Sequence, residues 1–275
     1  MRMPVSLKSA PARPKRMDHA DAHKMAQLSP PCVKGTGLRR PGLLLMAGLL
    51  AWAGSASAGR PLGTDDASTA DAGSCQVEAW AERSRGAADG VFVVAPACGL
   101  LDGLELGGDH SWSQAGQGPA RAATLGLKWV PAAWASDTGF GPLALGLKAD
   151  LGYEQPAGQG WRRSGAGLLG LATLKPSDSL ALHVNVGPLH SADSGRPTTH
   201  LRLALAWVPQ AAVLLFAETQ ANDRPATSGN TFNTLGGRWW LLADVLGLDL
   251  TASREAGAGT GTRWSLGLGW YGIDR

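Results

Sequence analysis

Charge is scarce in this chain. Only 17% of its 275 residues are Asp, Glu, Lys or Arg, against roughly 25% in an ordinary soluble domain. Cysteine is rarer still, with three in the whole sequence, which excludes a disulfide-dense mini-scaffold. No apolar run approaches the roughly 20 residues that a helix needs to cross a bilayer, and no segment sustains a convincing helical stripe. Gly-x-Ser-x-Gly, a phosphate loop and clustered metal-ligand spacing are all missing, so no cofactor, metal or catalytic residue is expected. Disorder is excluded too, because 44% of the residues are hydrophobic. What the chain does have is glycine, 38 residues or about twice the usual share, together with 11 Trp.

The N-terminus reads as an export signal. Arg39-Arg40-Pro41 precedes the short apolar run Gly42–Ala53, and the small residues Gly54-Ser-Ala56-Ser57-Ala58 follow. A basic region, a short hydrophobic region and an Ala-x-Ala site are the marks of a secretory signal, with cleavage expected after Ala58. Residues 1–38 make an unusually long preamble, and Met17 and Met25 are alternative starts. The surroundings of Arg39-Arg40 are not those of a twin-arginine signal, so Sec-type export is expected. Residues 1–58 carry nine basic and two acidic residues, which leaves 16 basic against 20 acidic residues in the rest. The formal net charge thus falls from +3 to −4; the basic balance belongs to the signal, and nucleic acid is excluded as a partner. Cys32 leaves with the signal. Cys75 and Cys98 remain, an even pair in an exported chain and hence an expected disulfide. Cys75 lies too far from the hydrophobic region to be a lipidated cysteine.

Residues 59–74 are small, polar and acidic, and read as a periplasmic lead-in. From about residue 75 the pattern has period two. Leu143, Leu145, Leu147, Ala149, Leu151 and Tyr153 oppose Ala144, Gly146, Lys148, Asp150 and Gly152. Leu201, Leu203, Leu205 and Trp207 oppose Arg202, Ala204 and Ala206, and Trp264, Leu266, Leu268 and Trp270 oppose Arg263, Ser265, Gly267, Gly269 and Tyr271. A soluble sandwich buries its apolar face; a membrane barrel turns that face to lipid and lines its lumen with small or charged residues. Gly and Ala mixed with isolated charges of both signs favour the barrel. So do strands that reach the 9–11 residues needed to span a bilayer when tilted.

Twelve antiparallel strands are expected within 75–275, near 76–83, 90–96, 103–113, 120–130, 142–153, 165–175, 179–187, 199–208, 211–220, 232–242, 245–254 and 261–271. The parity of the second and sixth is ambiguous. Both termini then lie on the periplasmic side. Trp129, Trp207, Trp239 and Trp270 fall at one level with lipid-facing parity, as a membrane-interface girdle would. Trp112, Tyr153 and Phe232 are candidates for the opposite belt. Pro176-Ser177-Asp178, Pro209-Gln210 and Ala243-Asp244 read as tight periplasmic turns. The long 131–141 connection on the same side is the misfit.

Residues 142–271 resemble the Gram-negative outer-membrane barrels labelled transporters of the MetA pathway of phenol degradation. The carrying segments are Pro142-Leu-Ala-Leu-Gly-Leu-Lys148, Ser179-Leu-Ala-Leu-His183, Leu214-Leu-Phe-Ala-Glu218, Leu248-Asp-Leu-Thr-Ala252 and Trp264-Ser-Leu-Gly-Leu-Gly-Trp270. The chain departs from bacterial barrels in extending past Trp270-Tyr271. The resemblance implies a narrow outer-membrane channel or transporter for small solutes, hydrophobic or aromatic ones among them. It also implies outer-membrane lipids as surroundings, and the barrel-assembly machinery and periplasmic chaperones as partners during biogenesis.

The expected lumen holds Glu78, Glu82, Glu105, Asp109, Asp150, Glu218 and Asp249 against Lys128, Lys148, Arg202, Arg238 and Arg263, with His183 beside them. Near-balanced pairing is the structural reading of such a set, and a path with a mild cation preference is the functional one. A surface-display barrel without transport is the alternative. A lipid hydrolase is the remote one, because His183 and Asn185 share a face that points to the lumen, away from lipid.

Overall fold

Alternation of Leu with Gly, Ala and charge becomes a ring of long strands. The computed structural model describes residues 61–84, 90–115, 118–192, 197–223, 231–256 and 261–274, the side chains of 115, 118 and 119 excepted. The expected signal, 1–58, lies outside the described residues. The strands are β1 (Ser74–Ser84), β2 (Gly90–Leu101), β3 (Leu104–Ala115), β4 (Gly118–Trp129), β5 (Ser136–Thr138), β6 (Gly141–Gln155) and β7 (Arg162–Ser177) in the first half. β8 (Leu180–Ser191), β9 (Pro197–Gln210), β10 (Val213–Asn222), β11 (Thr231–Leu242), β12 (Leu246–Glu255) and β13 (Arg263–Asp274) complete it. Each long strand pairs with its sequence neighbours, β4 joins β6, and β1 joins β13. The result is a closed antiparallel barrel of twelve strands in which every edge is satisfied. The short β5 lies against β6 alone.

The faces follow the sequence pattern. Leu145, Leu151, Leu205, Leu235, Leu250 and Leu266 are exposed on the outside, while Asn185, Arg238 and Asp249 are buried inside. Short turns connect strands at one end of the barrel; among them is Asp244, whose φ of 56° suits the tight β11–β12 reversal. Longer connections gather at the other end. The 131–141 misfit is a folded element: a 3₁₀ turn at Ala132–Trp134 leads into β5, and Trp134 packs on Trp129 with ring centroids 4.7 Å apart.

Cys75 and Cys98 are bridged. They sit opposite one another within the β1–β2 ladder, inside the strands rather than just beyond their ends, because β2 runs on to Leu101. Trp129, Trp207, Trp239 and Trp270 are all exposed on the outer surface at the short-turn end. Phe232 departs from expectation. It shares its strand face with Thr234 and Arg238, both buried in the interior, so it points inward and joins no outer belt.

Candidate functional site: a filled lumen

The stretch expected as a periplasmic lead-in lies inside the barrel. Beyond the rim at Gly73, residues 72 to 61 climb through the lumen, and Leu62, Thr64, Asp66, Ala67 and Ala70 are buried there. The reason is chemical fit. A chain of small and acidic residues is slim enough for a twelve-strand lumen, and it offers carboxylates to the wall's lysines. At the rim the segment runs so close to Gly99 that any side chain there would collide with the carbonyls of Ala70 and Asp71. Gly73 donates its N–H to the Gly99 carbonyl at 3.0 Å.

Wall side chains satisfy the segment's backbone in place of a partner strand. Ala70 N–H donates to Glu105 at 2.8 Å, Ala67 N–H to the Thr173 hydroxyl at 2.8 Å, and Thr64 N–H to Glu218 at 2.6 Å. Arg202 donates to the Gly63 carbonyl at 2.7 Å. Asn185, fully buried, accepts from Asp65 N–H and donates to Asp65 C=O. Its neighbour His183 is buried too and meets Thr173 through Nδ1 at 3.0 Å.

Charge joins the same parts. Lys128 Nζ lies 3.6 Å from Asp65, 3.6 Å from Asp66 and 3.8 Å from Glu105. Lys148 reaches Asp65 at 3.0 Å and Asp150 at 3.8 Å. Burial alone would raise the Asp65 carboxyl, but Lys128 and Lys148 outweigh it and hold the group below its ordinary value. The acids the wall lysines pair with thus include two from a segment that sequence reading set outside the barrel.

Two apolar patches inside the lumen have the same origin. Leu62 packs with Ala204, Ala206 and Phe216, and Ala67 packs with Leu169 and Leu171. The inward Leu169 and Leu171 explain why the parity of the sixth long strand, β7, was ambiguous: it is apolar on both faces because part of its inner face meets the filler, not water.

A second cluster belongs to the wall itself. Arg238 holds Asp249 in a two-pronged pair, at 2.6 and 2.8 Å, and reaches Glu78 at 3.4 Å. Tyr271 donates its hydroxyl to Glu78. The guanidinium lies 5.0 Å from the Trp240 ring centre and 4.8 Å from that of Tyr271. A Cβ at Gly247 would stand 2.7 Å from the Arg238 side chain, so glycine there leaves room for it. Four strands, β11, β12, β13 and β1, are tied by this cluster near the barrel seam. Glu82 and Arg263 pair at 3.7 Å near the long-loop end, with Arg263 half exposed.

Asp109 and Asp150 face what remains open. Between the segment and the wall of β1–β4 and β6 is a polar cavity of about 420 Å³, bordered by Asp65, Glu78, Glu82, Asp109, Lys148 and Asp150. Side chains from β3 round to β10 hold the segment, and this cavity is the space left beside it.

A family model described as "Uncharacterised conserved protein UCP029691" matches residues 45–269. No curated protein matches the chain. Among solved structures, the KdgM porin is similar in fold, with a TM-score of 0.52 and 9% identity, covering 71% of this chain and 98% of that one. The KdgM porin in complex with disordered oligogalacturonate gives 0.49 and 8% over the same shares. The outer membrane phospholipase A from Escherichia coli gives 0.45 and 11%, covering 75% and 93%.

Proposed function

The chain belongs to that family, and we propose that it is an outer-membrane barrel forming a narrow channel whose bore is set by its own segment 61–73. The observation that carries this reading is the lumen: a polar cavity runs beside a filler that is anchored on strands from β3 to β10. Leucines turned outward and tryptophans exposed at one level suit a lipid-facing belt and its interface. Short turns at the tryptophan end support a periplasmic position for that end, with the longer loops outside.

The acidic border of the cavity favours small polar or cationic solutes in the seated state. The aromatic cargo implied by the sequence resemblance is the alternative, and it requires the wider bore that withdrawal of the segment would give. Export through a cleaved Sec-type signal, assembly by the barrel machinery and its chaperones, and the absence of enzymatic activity are parts of the same reading.

The test is planar-bilayer conductance of protein purified from outer membranes, after it has shown the faster unboiled migration of a closed barrel. The intact chain should give small cation-preferring steps, and a chain lacking residues 61–70 should give steps several-fold larger. A deletion variant that folds yet stays silent would overturn the channel in favour of a surface-display barrel.

A further inference from the structure

The outer surface carries an asymmetry that the lumen does not use. At the long-loop end, Arg83, Arg121 and Arg254 are exposed and have the parity of outward-facing neighbours. Arg121 shares its face with Leu125, Leu127 and Trp129, Arg83 follows Ala79 and Ala81, and Arg254 follows Leu250 and Ala252. None of the three has an ion-pair partner among the described residues. At the short-turn end the exposed charges are mostly acidic: Asp102, Asp137, Asp178, Asp244 and Asp274, with Lys175 the described cation among them.

Arginine at the top of a lipid-facing surface lays its stem along apolar neighbours and carries its guanidinium to headgroup level, where anions meet it. Its planar fork matches a phosphate in two-pronged fashion. Arg83 and Arg121 border an outward groove of about 720 Å³, together with Phe92, Trp112, Trp264 and Leu266. Phe92 and Trp112 pair across β2–β3 with ring centroids 5.7 Å apart, forming an apolar shelf. Arg83 and Arg121 stand on β1 and β4, three strand intervals apart, or about 14 Å along the sheet. One phosphate cannot serve both.

We propose that this groove binds a glycolipid carrying two phosphates, the lipid of a Gram-negative outer leaflet. Arg83 and Arg121 take one phosphate each, and an acyl chain lies over Phe92 and Trp112. This rests on the membrane-spanning orientation given above, not on conductance. A silent barrel would leave it standing.

The experiment uses the full chain purified from outer membranes, stripped of lipid in mild detergent and titrated with purified lipid A by native mass spectrometry. Its monophosphoryl form and phosphatidylglycerol are the comparison ligands. Lipid A should bind best, at least ten-fold more tightly than either comparison lipid. The double variant Arg83→Ala/Arg121→Ala should lose that preference while still migrating as a closed barrel, since neither arginine holds a described ion pair. Trp112→Ala should weaken all three lipids while keeping their order. Equal binding of phosphatidylglycerol and lipid A would overturn the two-phosphate assignment, and unchanged lipid A binding by the double variant would overturn the site. If the double variant fails to close, Arg83→Lys/Arg121→Lys replaces it: point charges without the fork should still bind lipid A several-fold more weakly than the native chain, and undiminished binding refutes the proposal.

Discussion

Asn185 grips the backbone of Asp65 with both ends of its carboxamide: Oδ1 accepts the Asp65 N–H at 2.8 Å, and Nδ2 donates to the Asp65 carbonyl at 2.7 Å. One side chain thereby does for the lumen segment what a neighbouring strand does for a β-ladder. Replacing it with alanine leaves both backbone groups without these partners, a cost of about 1–3 kcal/mol. Asn185→Ala should still give a heat-modifiable barrel, but protease should cut within 61–73 several-fold faster. Equal protection of that segment would show that Asn185 is not what holds it.

Acid should loosen the same joint. The Asp65 carboxyl is held below its ordinary value by Lys128 and Lys148, so its contribution is complete above the unfolded value of about 3.9. It fades as pH falls through the lower folded value. The residues facing it from the wall and from the segment are Lys128, Lys148, Asp66, Glu105, Asp150 and Arg202. Protease protection of 61–73 should therefore be flat from pH 7 to about pH 5 and fall only in stronger acid. Loss between pH 7 and 5 would contradict this assignment.

Arg238 tests the wall. Removing one member of a buried, hydrogen-bonded pair strands the others, at a cost of about 3–5 kcal/mol. Arg238→Ala leaves Asp249 and Glu78 facing one another and should lower the urea midpoint of the folded barrel accordingly. Gly247→Leu should do similar damage without touching a charge, because it claims the space of the arginine stem.

Leu203 and Arg202 test the faces. Leu203 shares the outward face of exposed Leu201 and Leu205, and Arg202 reaches Gly63 inside. Leu203→Arg near mid-membrane should cost about 2–4 kcal/mol of barrel stability, whereas Arg202→Ala should spare assembly and loosen the segment. Normal insertion of Leu203→Arg, measured by fractionation and unboiled migration, would reverse the in–out assignment.

The Cys75–Cys98 bridge closes a loop spanning 23 positions, and its removal should cost on the order of 3 kcal/mol, mainly through the unfolded chain. Peptide mapping without reduction should recover the two linked, and Cys75→Ser/Cys98→Ser should lower the urea midpoint.

Period two made the barrel readable. In strands such as β6, β9 and β13, lipid demands Leu or Trp on one face and a narrow lumen demands Gly, Ala or charge on the other, so side and register come from the same residues. The positions of the inward charges follow directly, from Glu78 to Asp249. The filler was not legible, because 61–73 has no period: its backbone hydrogen bonds go to side chains from many strands, and such partners leave no local pattern. A trace did exist in Leu169, Leu171 and Phe216, apolar residues at inward positions. In a water-filled lumen they are costly, and their presence signals that something else occupies it. Phe232 misled for the same reason, since an aromatic at a strand end suits an outer belt as well as an inner wall.

The filler's contacts also fix when it can be seated. Ala70 meets a residue 35 positions away, Ala67 one 106 away, Asp65 one 120 away, Gly63 one 139 away and Thr64 one 154 away. Contacts so remote in sequence form only after the loops between them have closed. The barrel's earliest-made residues must therefore wait, hydrated and unpartnered, until strands as late as β10 have arrived. Synthesis order and docking order run in opposite directions along this chain.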